Sequence, residues 1–516
     1  MNFNSLSRRD FLKVLGTVFC SQMIGSQPVD LLNQMHFSGD RPNVFIFVFD
    51  SWSARHVSLQ GYPRQTTPNL TEFAANANVY HRHYAGGNFT SPGTATLLTG
   101  TYPWTNRCTQ LNFGVLDHLT EHNLFSLMGS KFHTYGYTQN FGVETLFSQF
   151  REQLSESPPI DQPGTYYFFP KDRLFANDYN TRFYARRVMH GIYYPPASQP
   201  VLTNLYNAYY NYRQTLLLKA YEGQYPRGLS AAYNGVYIIL DEAISWVRSQ
   251  IESMPKPALA YFHMWAPHFP YTPHKDFVGM FDDTYLPPQK PEHIFSDHVS
   301  RETLLAQRMA YDEFVANVDS EIGKLIGHLK EAQLYEDSYI VITSDHGELF
   351  ERGISGHTTN VLYESLDHIP LLIKKPGQTG REDIFSPTSA ADIVPTLCQL
   401  FEVPIPDWVE GAVLPGFDGH QQDEERSIFT VEMKQNSKFK PFTIGTVAQV
   451  KWPYKLIYYR GFEELDEVYE LYNLLEDAEE LVNLAGKEPA MLKWMRDELL
   501  TRLEEKDKPF LKPSPV

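Results

Sequence analysis

Asp50, Thr90, Asp345 and His346 are side chains of the types that hold a single hard or borderline divalent cation (Ca, Mg, Mn or Zn). Such a cation would neutralise a transferred anionic group and acidify the Thr90 hydroxyl for attack. Thr90 opens the stretch Thr90-Ser91-Pro92-Gly93-Thr94 that runs on to Leu98-Thr99-Gly100. Ser91 is a good N-cap, Pro92 suits the first helical position and Gly100 suits a left-handed end, so a short helix is predicted to begin just after Thr90. Its free N–H groups and positive dipole end favour a phosphate, a sulfate or a developing oxyanion beside that hydroxyl. Taken singly, each residue has a plain structural reading: an ordinary helix start, two strand-end caps and a loop histidine. Their combination is what argues for chemistry.

Stepping from these residues to what must hold them, three apolar runs read as strands buried on both faces. Val44–Phe49 ends at Asp50-Ser51, Tyr339–Thr343 ends at Ser344-Asp345-His346, and Ala258–Phe262 ends at His263 and leads to His268. Open α/β sheets place their ligands at the carboxyl ends of such strands. His263, the first residue after its run, reads as a core or loop histidine. Between the strands, Phe314, Val315, Val318, Ile322, Leu325, Ile326 and Leu329 recur at helical spacing over 311–330 and predict a helix packed on the sheet.

The chain has 516 residues, 42% of them apolar, enough for one large core with a smaller appendage. Its formal charge of −17 argues against a broad nucleic-acid or anionic-membrane surface, so an anionic substrate must be held by local means. Cys20, Cys108 and Cys398 are too few for a disulfide framework or a zinc cluster. Arg8-Arg9 before Phe11-Leu12-Lys13 and a modest apolar run look like a twin-arginine export signal within residues 1–35. This implies a bacterial periplasmic or extracellular location; a basic N-terminus without export would leave the protein cytoplasmic. No other uninterrupted apolar stretch has membrane-spanning length, so no integral membrane segment is expected in the mature chain. Residues 40–425 read as the main domain. A tyrosine-rich insertion over about 150–235 is expected to cover the strand ends, and 426–516 read as a small C-terminal α+β subdomain.

Across residues 42 to 485 the chain resembles the sulfatase family of the alkaline phosphatase superfamily. The matching segments include Pro42-Asn43 through Asp50-Ser51, Thr66-Thr67-Pro68-Asn69-Leu70, Thr90-Ser91-Pro92 through Gly100 and Pro267-His268-Phe269-Pro270-Tyr271. Further on they include Ser344-Asp345-His346-Gly347-Glu348, Gly356-His357, Leu362-Tyr363-Glu364 and Glu470-Leu471-Tyr472-Asn473-Leu474. The resemblance implies an α/β fold with a doubly wound, mostly parallel sheet, a small C-terminal α+β subdomain, and one divalent metal ion held by Asp50, Asp345 and His346. It also points to His268, with His357, as donors of a proton to a leaving oxygen.

The departures from the family concern the reacting group. Sulfatases carry Cys or Ser in Cys/Ser-x-Pro-x-Arg and convert it to formylglycine, whereas this chain has Thr90 there and Thr94 in place of the arginine. Threonine cannot become that aldehyde. The family's Gly-Lys-Trp segment is also absent, its counterpart lying near Tyr137-Thr138-Gln139-Asn140. These features favour attack of Thr90 on phosphorus through a covalent intermediate, with hydrolysis or transfer of a phospho(di)ester group from a small-molecule, glycan or lipid substrate. Two other readings stand beside it: a sulfuric ester hydrolase working without formylglycine, and a secreted binding protein that keeps the fold without catalysis. Oligomeric state is not legible in the sequence.

Overall fold

The computed structural model describes residues 41–111, 113–167, 201–233, 236–417 and 423–511. The Arg8-Arg9 segment and Cys20 lie outside the described residues.

A seven-stranded sheet forms the centre. In chain order its strands are β1 (Asn43–Phe49), β2 (Asn78–Tyr80), β3 (His133–Thr138), β4 (Ala258–Met264), β5 (Ser338–Thr343), β6 (Leu371–Lys374) and β7 (Glu382–Ile384), arranged in space as β7-β2-β6-β5-β1-β4-β3. β3, β4, β1 and β5 are parallel, with Val48 opposite both His263 and Thr343. The three apolar runs therefore finish at one edge. The sheet is mostly parallel, as expected, and is mixed only through β6, which runs antiparallel to both β5 and β2. Between β5 and β6 the chain makes only a small hairpin and the helical turn Glu364–Asp367, with no crossover helix of the kind a parallel return requires.

Alternate residues of β1 feed two cores. Phe45, Phe47 and Phe49 pack with one set of helices, and Val44, Ile46 and Val48 with the other. On the second face lie α1 (Thr90–Thr99) and α2 (Phe141–Gln149), and on the first lie α3 (Leu240–Ser253) and α4 (Arg301–Glu331). α4 begins well before residue 311 because Ser300 caps it, its side chain accepting from Thr303 N at 3.2 Å. Its Phe314, Val315, Val318, Ile322, Leu325 and Leu329 form the buried stripe.

Toward the C-terminus, Ile428–Glu432, Gly445–Lys451, Tyr454–Arg460 and Val468–Asn473 form a four-stranded antiparallel sheet, against which the helix Pro489–Asp507 buries Met495, Leu499 and Leu503. In the tyrosine-rich stretch, Thr165–Tyr167, Val236–Ile238 and Ser230–Tyr233 make a small sheet beside the helix Val201–Tyr221, and Tyr184, Tyr193 and Tyr194 lie outside the described residues. Cys108 and Cys398 are buried free thiols. Among the described residues no helix is long and apolar enough to cross a membrane.

Candidate active site

Asp50 is the first residue after β1, and its N–H donates to Met264 O at 3.0 Å, which fixes the end of β1 against β4. Ser51 follows with φ 63, a conformation that a non-glycine residue adopts only when its surroundings hold it there. Its N–H donates to Asp345 Oδ1 at 3.2 Å and its hydroxyl to Asp50 Oδ1 at 3.1 Å. The ends of β1 and β5 are thus tied together through the carboxylates themselves.

His263 enters this pair. Its Nε2 lies 3.3 Å from Asp50 Oδ2 and 3.6 Å from Asp345 Oδ2, and all three side chains are fully buried. Of the core and loop readings of His263 the loop one is corrected, since β4 continues to Met264; the imidazole is buried, and the pleat turns it onto the carboxylates. His346 approaches from the β5 side, with Nε2 3.5 Å from Asp50 Oδ1 and 3.7 Å from Asp345 Oδ2. Its Nδ1 donates to Gly347 O at 2.9 Å, which leaves the Nε2 lone pair facing the cluster.

Asp50, His263 and Asp345 each offer a ligand atom within 4.8 Å of the others. Asp345 Oδ2 is buried and has no hydrogen-bond donor. Two adjacent carboxylates out of water, one with an unpartnered oxygen, call for a positive charge, and carboxylate oxygens with imidazole nitrogens fit a divalent cation. The titration behaviour expresses the same strain. Burial alone would raise Asp50, but His268, His263 and His346 outweigh it and hold its carboxyl below the usual range. Burial and the Asp50 carboxylate push Asp345 well above that range, while burial and the nearby His357 depress His346.

Thr90 is the first residue of α1, and Phe89, at φ 53 and ψ 175, is the residue that precedes the helix. The predicted start is shifted accordingly: Gly93 N already bonds Phe89 O at 3.0 Å, so Ser91 and Pro92 lie inside the first turn and Ser91 is not the cap. The expected end is present, with Gly100 left-handed at φ 68. Gly93 is where α1 touches the strand edge, since a Cβ there would sit 2.3 Å from Asp345 O. Thr90 Oγ1 lies 3.4 Å from His346 Nε2.

Asn140 completes this side. It caps α2, its Oδ1 accepting from Gly142 N at 2.8 Å, which leaves Nδ2 to donate to Asp50 Oδ2 at 2.6 Å and to approach Thr90 Oγ1 at 3.4 Å. An amide thus occupies the region where the family's lysine segment is missing. Thr94, in the position of the family's arginine, is fully buried in α1.

His268 and His357 face each other with ring centroids 4.8 Å apart. His268 Nδ1 donates to Phe269 O at 2.6 Å, and His357 Nδ1 lies 2.9 Å from Glu348 Oε1, so each keeps Nε2 for another partner. Burial lowers His268; burial alone would also lower His357, but the Glu348 carboxylate overrides it and raises that imidazole.

Thr90, Asn140, His268 and His357 line one cleft of about 930 Å³, with Phe89, Leu111, Trp265, Phe269 and Tyr271 among its other walls. Among the described lining residues the one lysine or arginine is Lys434, delivered by the C-terminal sheet just beyond Ile428–Glu432 and donating to Thr359 O at 2.6 Å. None of the described residues of the 150–235 stretch lines the cleft. Tyr166, Tyr221 and Tyr225 instead form a cluster with Leu229 and Ile239.

All six sequence-read site residues, Asp50, Thr90, His268, Asp345, His346 and His357, converge on this edge. His263, read from sequence as a core or loop residue, joins them, as do Asn140, Ser51, Glu348 and Lys434, which had been assigned no role from sequence. The strand-end position of His263 and the Asn140 N-cap were the available signals.

The family model described as Sulfatase matches residues 42–403. Similar curated proteins include Arylsulfatase K of Bos taurus, 24% identical over 48% of this chain and 51% of that protein. Another is the Ulvan-active sulfatase of Formosa agariphila, 24% identical over 72% of this chain and 64% of that one. The chain thus spans about half to two thirds of the length of these relatives. Among solved structures, the phosphonate monoester hydrolase of Agrobacterium radiobacter superposes with a TM-score of 0.62 at 19% identity, covering 90% of this chain and 96% of that one. At that identity the likeness is one of fold.

Proposed function

The chain belongs to the sulfatase family, and from that premise we propose that it is a metal-dependent ester hydrolase in which Thr90 attacks a phospho(di)ester. The observation that carries this reading is the position of Thr90. Its hydroxyl opens α1 at 3.4 Å from both His346 Nε2 and Asn140 Nδ2, on the floor of a cleft walled by His268 and His357.

Asp50, Asp345, His346 and His263 would hold the divalent cation, with Thr90 beside it; bound there, the cation would withdraw charge from the ester oxygens and acidify the threonine. The chain's own groups do the rest. The Thr90 and Ser91 N–H groups at the start of α1 would meet the equatorial oxygens, and Asn140 Nδ2 would orient Thr90. The acidified Thr90 hydroxyl gives its proton to water in the cleft, its oxygen bonds to phosphorus as the ester oxygen leaves, and that leaving oxygen takes a proton from Nε2 of His268 or His357. Glu348 favours the protonated form of His357. Water or an acceptor hydroxyl, giving its proton to the imidazole that had lost one, then attacks the phosphorus and frees the Thr90 oxygen. The twin-arginine reading would place this chemistry outside the bacterial cytoplasm.

A sulfuric ester substrate is the second reading, favoured by relatives named as sulfatases. The absence of Cys or Ser at position 90 and of arginine at position 94 counts against it. The test is turnover of p-nitrophenyl phosphate, bis-p-nitrophenyl phosphate, a phosphonate monoester and p-nitrophenyl sulfate with added Mn, Mg, Ca or Zn, for wild type and Thr90→Ala. Phosphoester turnover lost in Thr90→Ala is expected. Preferential turnover of the sulfate would overturn the choice of electrophile.

A further inference from the structure

Behind the wall of the cleft is a second cavity of about 380 Å³. The hairpin Phe350–Glu351 and Ile354–Ser355 contributes to both: Ser355 and the following Gly356 line the cleft that Thr90 also lines, while Phe350 and Glu351 line the second cavity. On α4, Gln307 lines the cleft and its neighbour Arg308 lines the second cavity. The two spaces are thus adjacent compartments of one region.

Arg308 is 7% exposed, and its Nε has no hydrogen-bond acceptor. The Glu351 carboxylate stands 3.9 Å from its Nη2, beyond hydrogen-bond reach, and is held instead by Lys290 Nζ at 2.8 Å. Asp312, one turn along α4, is already occupied by His56, Tyr62 and Arg64. Arg352, from the same hairpin, is 5% exposed and also has an Nε without an acceptor. A buried donor left without an acceptor is costly, and a planar guanidinium matches an oxyanion with two parallel N–H donors.

The charge on the walls agrees. Lys290, Arg301, Arg308 and Arg352 outnumber Glu292 and Glu351 around this cavity, in a chain whose formal charge is −17. A net-positive lining around buried guanidinium donors favours a bound anion locally, against the negative charge of the whole chain.

We propose that this cavity is an oxyanion-binding subsite that takes a sulfate, phosphate or carboxylate group on Arg308. The group arrives either as a second charged substituent of the substrate turned over in the neighbouring cleft or as a free ion. Only the first of these rests on the proposed esterase function.

The experiment uses inorganic selenate on the full chain, with calorimetric titration for affinity and selenium anomalous scattering from soaked crystals for position. Two variants accompany it. Leu305→Glu puts a carboxylate into the cavity from a half-buried wall position while leaving Arg308 and Lys290 in place, and Arg308→Gln removes the guanidinium. Melting in anion-free buffer confirms that each is folded. The expected result is a selenium peak within hydrogen-bond distance of the Arg308 guanidinium, with affinity at that position falling roughly tenfold or more in Leu305→Glu. Selenate seen only over Thr90, or nowhere, in folded wild type overturns the proposal. The source follows from kinetics. A second substituent of the substrate predicts that Leu305→Glu raises KM for an ester bearing two anionic groups and leaves KM for a p-nitrophenyl ester unchanged. A free ion predicts that added selenate shifts the wild-type rate on the p-nitrophenyl ester at a concentration that Leu305→Glu no longer answers. Absence of turnover on every ester would sink the proposed function, while the selenium peak would still decide the subsite.

Discussion

Asn140 Nδ2 donates to Asp50 Oδ2 at 2.6 Å, so an amide at the start of α2 holds the carboxylate at the end of β1. The same nitrogen is 3.4 Å from Thr90 Oγ1, and this joint contact is what aligns the Thr90 hydroxyl with the carboxylate. Asn140→Ala is expected to lower kcat roughly 10²-fold, the scale for losing one preorganised donor. Thr90 would remain and divalent ion would still bind. Steady-state kinetics beside elemental analysis measure this; unchanged kcat would remove Asn140 from the alignment.

His263 Nε2 faces Asp50 and Asp345 at 3.3 and 3.6 Å. If it is a ligand, His263→Ala weakens divalent-ion binding at least tenfold, a loss of roughly 1.4 kcal/mol or more. Equilibrium dialysis followed by elemental analysis reads the effect without reference to turnover. Equal metal content in wild type and variant would return His263 to a packing role.

The strand edge was legible because it rests on local signals. Apolar runs ending at Asp50 and Asp345 report buried strands whatever surrounds them, and the short helix after Phe89 follows from its own residues. Its cap was misplaced by two residues because Ser91 and Pro92 carry strong local preferences, which the extended, positive-φ backbone of Phe89 overrides. His263 was missed for the opposite reason: it continues an apolar strand, and only the pairing of β4 with β1 turns its ring onto Asp50. Lys434 comes from a sheet far along the chain, and Arg308 sits within an amphipathic helix, so nothing in their immediate sequence separates them from surface cations.

Gly93 brings α1 onto the loop after β5. A methyl group would lie 2.3 Å from Asp345 O, and backbone on both sides leaves no flexible group to yield. Gly93→Ala should therefore push α1 from the edge, destabilise the fold by about 1–3 kcal/mol, and move Thr90 from its neighbours. Thermal melting and kinetics on the folded fraction test both effects. A variant with wild-type melting and wild-type kcat would show that the contact relaxes freely.

Glu348 lies 2.9 Å from His357 Nδ1 and raises the proton affinity of that imidazole. If protonated His357 serves the leaving group, activity falls as pH rises through its pKa. Glu348→Gln removes the charge and lowers that pKa, so the alkaline limb of kcat/KM should move to lower pH. An unmoved alkaline limb would assign the proton to His268 instead.

His83 is a second pH-sensitive histidine, remote in role from the cleft. It is fully buried on the short strand His83–Tyr84, its Nδ1 3.0 Å from Thr388 Oγ1 and its Nε2 without a partner. Burial lowers its pKa from the ordinary 6.5 to about 3. The unfolded chain therefore binds a proton between these two values and the folded chain does not, so folding is favoured above pH 6.5 and this advantage is lost as pH falls from there toward 3. The slope from one such group is about 1.4 kcal/mol per pH unit inside that window. His83→Gln retains hydrogen bonding to Thr388 and has no proton to gain, so its melting temperature should fall less steeply than that of wild type between pH 6.5 and 4. Parallel melting curves for the two proteins across that range would show that His83 is not among the groups responsible for acid destabilisation.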